Sequence, residues 1–261
     1  MLLVIDLGNT NTSLGVYEGS ELVAHWRLTT ARNRTVDEYG VHARNLFALA
    51  GLDFKAINAI AIASVVPPLN YTLKQMAEVY FHLTPLFVDH TTEIGLRILY
   101  EPASDVGADR LVDAVAAIHK YGAPCIIVDF GTATTFNAIT QDGNYLGGVI
   151  TPGIMISADA LFERTAKLPR VDIKRPVKVI GSSTIAAMQS GLYHGFVGLV
   201  DGVLRKMIDE LGGSPRVIAT GGLAPLIATG SALIELVDDT LTLEGLRLVY
   251  ERSQESESRR V

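Results

Sequence analysis

The sequence predicts a mixed-sheet α/β fold made of two related halves. Three observations carry that prediction. Strand-length apolar runs alternate with stretches of helical spacing after an opening β-meander. One strand–turn–strand unit occurs twice: LLVIDLGNTNTSLGVYEGS opens the chain and CIIVDFGTATTFNAITQDG opens its second half. The chain has 261 residues, 48% of them hydrophobic and 19% charged, which fits one large core or two modest ones and excludes a disordered chain.

The elements follow in order. Leu2–Leu7 is a short apolar run stopped by Gly8-Asn9 and reads as a buried strand. Ser13–Tyr17 and Leu22–Leu28 continue the meander across the turn Glu18-Gly19-Ser20. Residues 35–50 carry Val36, Tyr39, Val41, Leu46 and Leu49 at helical spacing, with Gly51 placed to end the helix. A buried strand at Ile57–Val66 is closed by Pro67-Pro68, and a helix over Leu69–Phe81 and a strand at Leu86–Val88 follow. The boundary between halves is expected near Asp105, giving 1–104 and 105–261. Leu111, Val112, Val115, Ala116 and Ile118 mark the next helix. Strands at Cys125–Asp129, Thr134–Thr140 and Tyr145–Thr151 repeat the meander, and a helix follows Pro152-Gly153. A long helix runs from Ser183 to Leu211, with Ser182 or Ser183 as its N-cap. Strand Arg216–Thr220, a short helix from Leu223, strand Leu233–Val237 and a helix from Thr242 complete the pattern, with Ser253–Val261 expected as a frayed charged tail.

The repeat places Asp129 123 residues after Asp6 and aligns Gly8 with Gly131, Thr12 with Thr135 and Val16 with Ile139. In each copy an apolar strand ends at an Asp, turns tightly through Gly and small hydroxyl residues, and returns. Such a turn gathers backbone N–H groups and hydroxyls into a concavity suited to phosphate. Its Asp can hold hydrated Mg²⁺ beside phosphate oxygens. An ordinary hairpin is the alternative for either copy alone; the duplication weighs against it. Val217–Ala224 supplies a third element, a strand ending in Gly221-Gly222 that opens a helix and lets a nucleoside approach the backbone.

Charge and cysteine content narrow the function classes. Net charge is −6 and the pI about 5.5, so no whole-chain positive field exists for nucleic acid or an anionic membrane. The opening MLLVIDLGN does not read as a signal peptide, and no run reaches the ~18 apolar residues of a membrane span. Cys125 is the only cysteine, which excludes an intramolecular disulfide and a Cys-based zinc cluster and points to the cytoplasm. The six histidines show no metal-binding spacing, and no Walker G-x-x-x-x-G-K-[ST] exists. Cys125 and Trp26 read as packing residues.

Gly107-Ala108-Asp109-Arg110 opens a helix. The glycine allows close approach of a substrate, the helix N-terminus attracts an anion, Arg110 can fork onto a carboxylate, and Asp109 can accept a proton from a hydroxyl. The alternative pairs Arg110 with Asp113 on a solvent face. Gly191, Gly195, Gly198 and Gly202 share one face of the long helix, spaced 4, 3 and 4. Each weakens an exposed helix by ~1 kcal/mol relative to Ala, so close packing should compensate, either internally or at a homodimer seam.

DLGNTNT, GADR, DFGTATT, GGVITPG, TAKLP, TIAAMQSG and ATGGLA, in this order across nearly the whole chain, resemble the type III pantothenate kinases. These belong to the superfamily of acetate and sugar kinases, heat-shock ATPases and actin. The resemblance implies two ribonuclease-H-like halves with mixed sheets flanked by helices and a nucleotide cleft between them. It implies ATP phosphates and Mg²⁺ at Asp6, Leu7, Gly8, Asn9, Thr10, Asn11, Thr12 and Ser13, with Thr132 touching ATP. It implies a pantothenate site of Tyr100, Gly107, Ala108, Asp109, Arg110 and Thr184, with Asp109 as general base and Thr184 acting within its own copy or across a homodimer interface. Asp129 would bind a monovalent cation, K⁺ or NH₄⁺. The implied reaction is ATP-dependent phosphorylation of pantothenate, the first step of coenzyme A synthesis. A related small-molecule kinase and a non-catalytic transcriptional accessory protein on the same fold are the alternatives.

Overall fold

The computed structural model describes residues 1–258. The chain forms two compact units. The first holds Met1–Leu96, Tyr100–Ala116 and the C-terminal helix from Leu241; the second holds Arg97–Leu99 and Ala117–Thr240. This division differs from halves at 1–104 and 105–261.

In the first unit, β1 (Leu2–Leu7), β2 (Asn11–Glu18) and β3 (Glu21–Thr29) form the meander. After α1 (Val36–Leu49), β4 (Ala59–Ser64) and β5 (Leu86–Val88) add in parallel on the other side of β1, giving the order β3-β2-β1-β4-β5. The entry to α1 is a reciprocal capping box. The Thr35 hydroxyl accepts from Glu38 N (3.3 Å), and the Glu38 carboxylate accepts from Thr35 N (2.7 Å). Phe47 of α1 is buried among the rings of Trp26, Phe54 and Phe81, at centroid distances of 5.6, 5.4 and 6.3 Å. Trp26 is thus a packing residue.

Helix α2 (Pro67–Met76) begins two residues before the predicted Leu69, because a ring-locked φ suits a first helical turn. A π-turn at Ala77–Phe81 extends it to His82, whose φ of 58° ends the winding. The first-unit part of α3 (Ala108–Tyr121) meets α7 (Leu241–Ser258) at Gly245, where an added Cβ would lie 2.0 Å from Val112 O. Helix α7 also packs on β1 and β4, and it runs helically through Ser253 to Ser258 where a frayed tail is expected. The rest of that tail lies outside the described residues.

The second unit repeats the design. Its strands β6 (Cys125–Phe130), β7 (Ala133–Ile139), β8 (Tyr145–Pro152), β9 (Arg216–Thr220) and β10 (Leu236–Val237) take the order β10-β9-β6-β7-β8, the same topology as the first sheet. Helices α4 (Ile154–Glu163), α5 (Thr184–Leu211) and α6 (Ala224–Ala228) complete it. Strand β10 is shorter than the predicted Leu233–Val237. Asp201 of α5 holds the preceding segment instead, accepting from the Ser231 hydroxyl (2.5 Å) and Ala232 N (3.0 Å). Cys125 is fully buried, and burial pushes its thiol up to about 12, so it is an inert core group.

Pairing register corrects the repeat alignment. Leu7 faces Thr12 in the first hairpin, whereas Phe130 faces Thr134 in the second. Thr134, not Thr135, is therefore the counterpart of Thr12, and Ala138, not Ile139, that of Val16. The second turn is one residue shorter. The strand irregularities at Val16/Tyr17 and Ala138/Ile139 then fall at equivalent places.

Candidate active site

Asp6 stands one residue before the end of β1, opposite Ser13 of β2 and Ala63 of β4. The following turn is tight: Gly8 N donates to Asn11 O (3.0 Å), and a Cβ on Gly8 would come within 2.9 Å of that oxygen. Thr30 braces the turn from behind. Its N donates to Thr10 O (2.9 Å), its hydroxyl donates to Gly8 O (2.7 Å), and that hydroxyl meets the Thr12 hydroxyl at 2.8 Å. Leu7 and Thr12 are buried, so the Leu7 side chain serves the core and Thr12 holds the turn's shape. Asn9, Thr10 and Asn11 are exposed and present the turn to solvent. Arg32, which sequence reasoning passed over, donates to Asn9 Oδ1 (3.0 Å) and brings a cation to this turn.

The Gly107–Arg110 motif lies on the same unit. Val65, just past β4, donates its N–H to Leu7 O (3.1 Å), and its side chain would be 3.2 Å from a Cβ on Gly107. The same Cβ would lie 2.5 Å from Asp109 Oδ1, so glycine is what lets the carboxylate fold back over the helix start. Asp109 Oδ1 accepts from Arg110 N (2.7 Å). Burial pushes the Asp109 carboxyl above the usual carboxylate range, while the Arg110 N–H and guanidinium pull the other way. A carboxylate of raised pKa is a stronger base. Arg110 and Asp113 are 8% and 2% exposed, which removes a solvent-face pairing. The structure therefore brings the Asp6–Ser13 turn and the Asp109 motif to one rim of one sheet. Tyr100 is partly buried on the segment between β5 and α3, directly after Leu99, whose N–H donates to Tyr145 O (2.8 Å).

In the second unit, Asp129 stands one residue before the end of β6, between Thr135 of β7 and Thr220 of β9. Three glycine-bearing motifs converge there. Gly221 has φ +91°, and a Cβ on it would lie 2.5 Å from Asp129 Oδ1 and 2.7 Å from Phe130 N. A Cβ on Gly131 would lie 3.3 Å from Asp129 Oδ2. Gly153, the N-cap of α4, abuts the turn so closely that a Cβ would sit 2.1 Å from Thr132 O. Thr132 is exposed at the tip. Among the described residues no group of three His, Cys, Asp or Glu side chains could hold a metal. One carboxylate flanked by threonine hydroxyls instead suits a cation of low charge density. Asp6, one carboxylate beside a phosphate turn, suits hydrated Mg²⁺. Sequence reasoning put Thr135 in the second turn and Thr220 in the Gly221-Gly222 motif; strand pairing, not motif spacing, sets them beside Asp129.

Thr184 is exposed at the first turn of α5, after the N-cap Ser183, whose hydroxyl accepts from Ala186 N (3.2 Å). It lines an apolar groove of about 600 Å³ with Leu161, Met188, Leu192 and Phe196. An added Cβ on Gly191, Gly195, Gly198 or Gly202 would meet open space, so no internal contact among the described residues covers that stripe.

A family model described as Type III pantothenate kinase matches residues 2–206. A relative from Koribacter versatilis (strain Ellin345), named Type III pantothenate kinase, is 56% identical over 270 residues, spanning 100% of this chain and 98% of its own. A solved structure from Campylobacter jejuni, described as a conserved putative Baf family transcriptional activator, aligns at TM-score 0.58 with 18% identity, covering 97% of this chain and 99% of its own. The activator of the 2-hydroxyisocaproyl-CoA dehydratase from Clostridium difficile, solved with bound ADPNP, aligns at TM-score 0.55 with 13% identity, covering 99% and 97%. These two likenesses carry the fold alone, and it is the two-sheet fold expected for the superfamily. The family match and the near-full-length identity carry more: the chain belongs to the type III pantothenate kinase family.

Proposed function

We propose that this protein transfers the γ-phosphoryl group of ATP to the 4′-hydroxyl of pantothenate, the first step of coenzyme A synthesis. The observation that carries this reading is Asp109, a half-buried carboxylate of raised pKa whose fold-back Gly107 permits on the rim that bears the Asp6–Ser13 turn. Asp109 takes the hydroxyl proton as the substrate oxygen attacks the γ-phosphorus. The bond from that phosphorus to the β–γ bridging oxygen breaks, and ADP leaves. Arg110 forks onto the pantothenate carboxylate, with Tyr100, Gly107 and Ala108 around it. Residues 6–13 hold the phosphates through backbone N–H groups and short side chains, and Thr132 touches the nucleotide from the second turn. Phosphoryl transfer needs positioning and charge neutralisation above all. Mg²⁺ held with ATP at Asp6 and a monovalent cation held at Asp129 would supply charge that few side chains here provide.

A coupled ATP assay against a panel of small hydroxylated acids tests the reading. Turnover is expected with pantothenate, increased by K⁺ or NH₄⁺, in a cytoplasmic setting where ATP is abundant. Turnover with another panel member but not pantothenate would assign a different small-molecule kinase. No substrate-dependent turnover at all would sink the enzyme reading.

The protein is also proposed to act as a homodimer through the α5 face. The open glycine stripe supports this, as do the exposed Met155, Ile156 and Ile185 and the apolar groove beside it. Thr184 would then reach pantothenate bound by the partner copy. Sedimentation at micromolar concentration should show a dimer, and Gly195→Arg should shift it to monomer; a monomeric parent protein would remove this seam.

A further inference from the structure

Strand alternation puts Thr135 and Asn137 on one face of β7. Thr135 stands directly across from Asp129 and Asn137 across from Ile127. Opposed side chains in an antiparallel pair have Cβ atoms about 4.5–5.5 Å apart, so the Thr135 hydroxyl neighbours the Asp129 carboxylate. Behind it, Asn137 and Tyr145 are both 0% exposed. Burying an amide is costly unless its groups are bonded, and here they are bonded in sequence. The Tyr145 hydroxyl donates to Asn137 Oδ1 (2.9 Å), and Asn137 Nδ2 donates to Thr135 Oγ1 (3.4 Å). Tyr145 is itself fixed by backbone: its N donates to Arg97 O (2.9 Å) and its O accepts from Leu99 N (2.8 Å).

The direction of these bonds matters. A phenol donating to the amide oxygen leaves the NH₂ group facing Thr135. The Thr135 oxygen then accepts from Asn137, which takes up one lone pair and leaves the second for a cation beside Asp129. From this geometry we infer that Asn137 is a positioning residue for the Asp129 cation site, orienting the Thr135 hydroxyl so that its oxygen faces the cation. The inference rests on reading Asp129 as a monovalent-cation site. Packing alone would be served by an aliphatic residue at 137. The neutral amide also adds no second carboxylate beside Asp129, which keeps the site suited to a single positive charge.

The test uses the full-length protein and three variants: Tyr145→Phe, Asn137→Ser and the pair Asn137→Leu/Tyr145→Phe. The pair removes both partners of the Tyr145–Asn137 bond together and guards against a folding failure. Two readouts are taken, with choline chloride holding ionic strength constant. One is the K⁺ concentration giving half-maximal activation; the other is the K⁺-specific rise in unfolding temperature without substrates. Each variant is expected to raise the half-activating K⁺ concentration about 10-fold, as loss of an outer-shell partner does. The K⁺-specific rise in unfolding temperature should shrink in parallel, while KM for pantothenate moves less. If wild type responds to K⁺ and the variants match it in both readouts, Asn137 is only a core residue and the inference is overturned. If wild type shows no K⁺ response in either readout, the cation reading of Asp129 falls and this inference falls with it.

Discussion

Asp109→Asn is expected to lower kcat by roughly 10²–10⁴-fold, the loss typical of a removed general base. Asn keeps the size of the side chain, and an amide oxygen can still accept from Arg110 N, so KM for ATP should change little. The pH profile gives a sharper reading. Burial raises the Asp109 pKa, so the carboxylate is protonated, and useless as a base, up to a higher pH than an ordinary carboxylate. In wild type kcat/KM should therefore fall on the acid side through a pKa above the usual carboxylate range, and the variant's residual rate should lack that limb. Stability should move the opposite way. A carboxyl whose folded pKa lies above its unfolded value favours folding when protonated and opposes it once ionised. The neutral amide should thus leave the protein at least as stable as wild type at neutral pH. An unchanged rate in Asp109→Asn would remove the base assignment; a lost rate with a lowered unfolding temperature would reassign Asp109 to structure.

Much of this site is legible in the sequence because its chemistry is local. A strand ending in Asp and turning through Gly reads the same in any context, and two copies announce two sheets. The turn length is not so legible. Thr10, Asn11 and Thr12 match Ala133, Thr134 and Thr135 closely enough in type that an ungapped alignment looks complete. Only the pairing of Phe130 with Thr134 reveals the shorter second turn. The division of the chain was hidden for a different reason. Helix α7 is last in sequence yet packs on β1 and β4, and its Gly245 admits the close crossing at Val112. Contacts that far apart in sequence leave no periodic trace. Asn137 carries no motif of its own, and its role needs Tyr145 from the next strand.

Gly221→Ala is expected to damage both stability and activity, and for reasons that can be separated. The backbone at φ +91° is strained for any L side chain, at about 1–3 kcal/mol. The new methyl would also sit 2.5 Å from Asp129 Oδ1 and 2.7 Å from Phe130 N. The carboxylate can swing aside; the Phe130 backbone, paired in β6, cannot do so without moving the strand end, and such overpacking costs about 1–3 kcal/mol more. The unfolding free energy should fall by roughly 2–6 kcal/mol from the two terms together. If Asp129 holds the cation, relief of the clash displaces that ligand, so the surviving folded protein should require more K⁺ for activity. Gly213→Ala is the control. It has a positive φ of 68°, but an added Cβ there meets only Pro124 Cγ at 3.8 Å, so it carries the backbone strain without the clash. Gly221→Ala should therefore exceed Gly213→Ala in destabilisation and alone shift the K⁺ requirement. Equal losses in the two variants would mean that backbone strain is the whole effect, and that the glycine pair does not shape the site around Asp129.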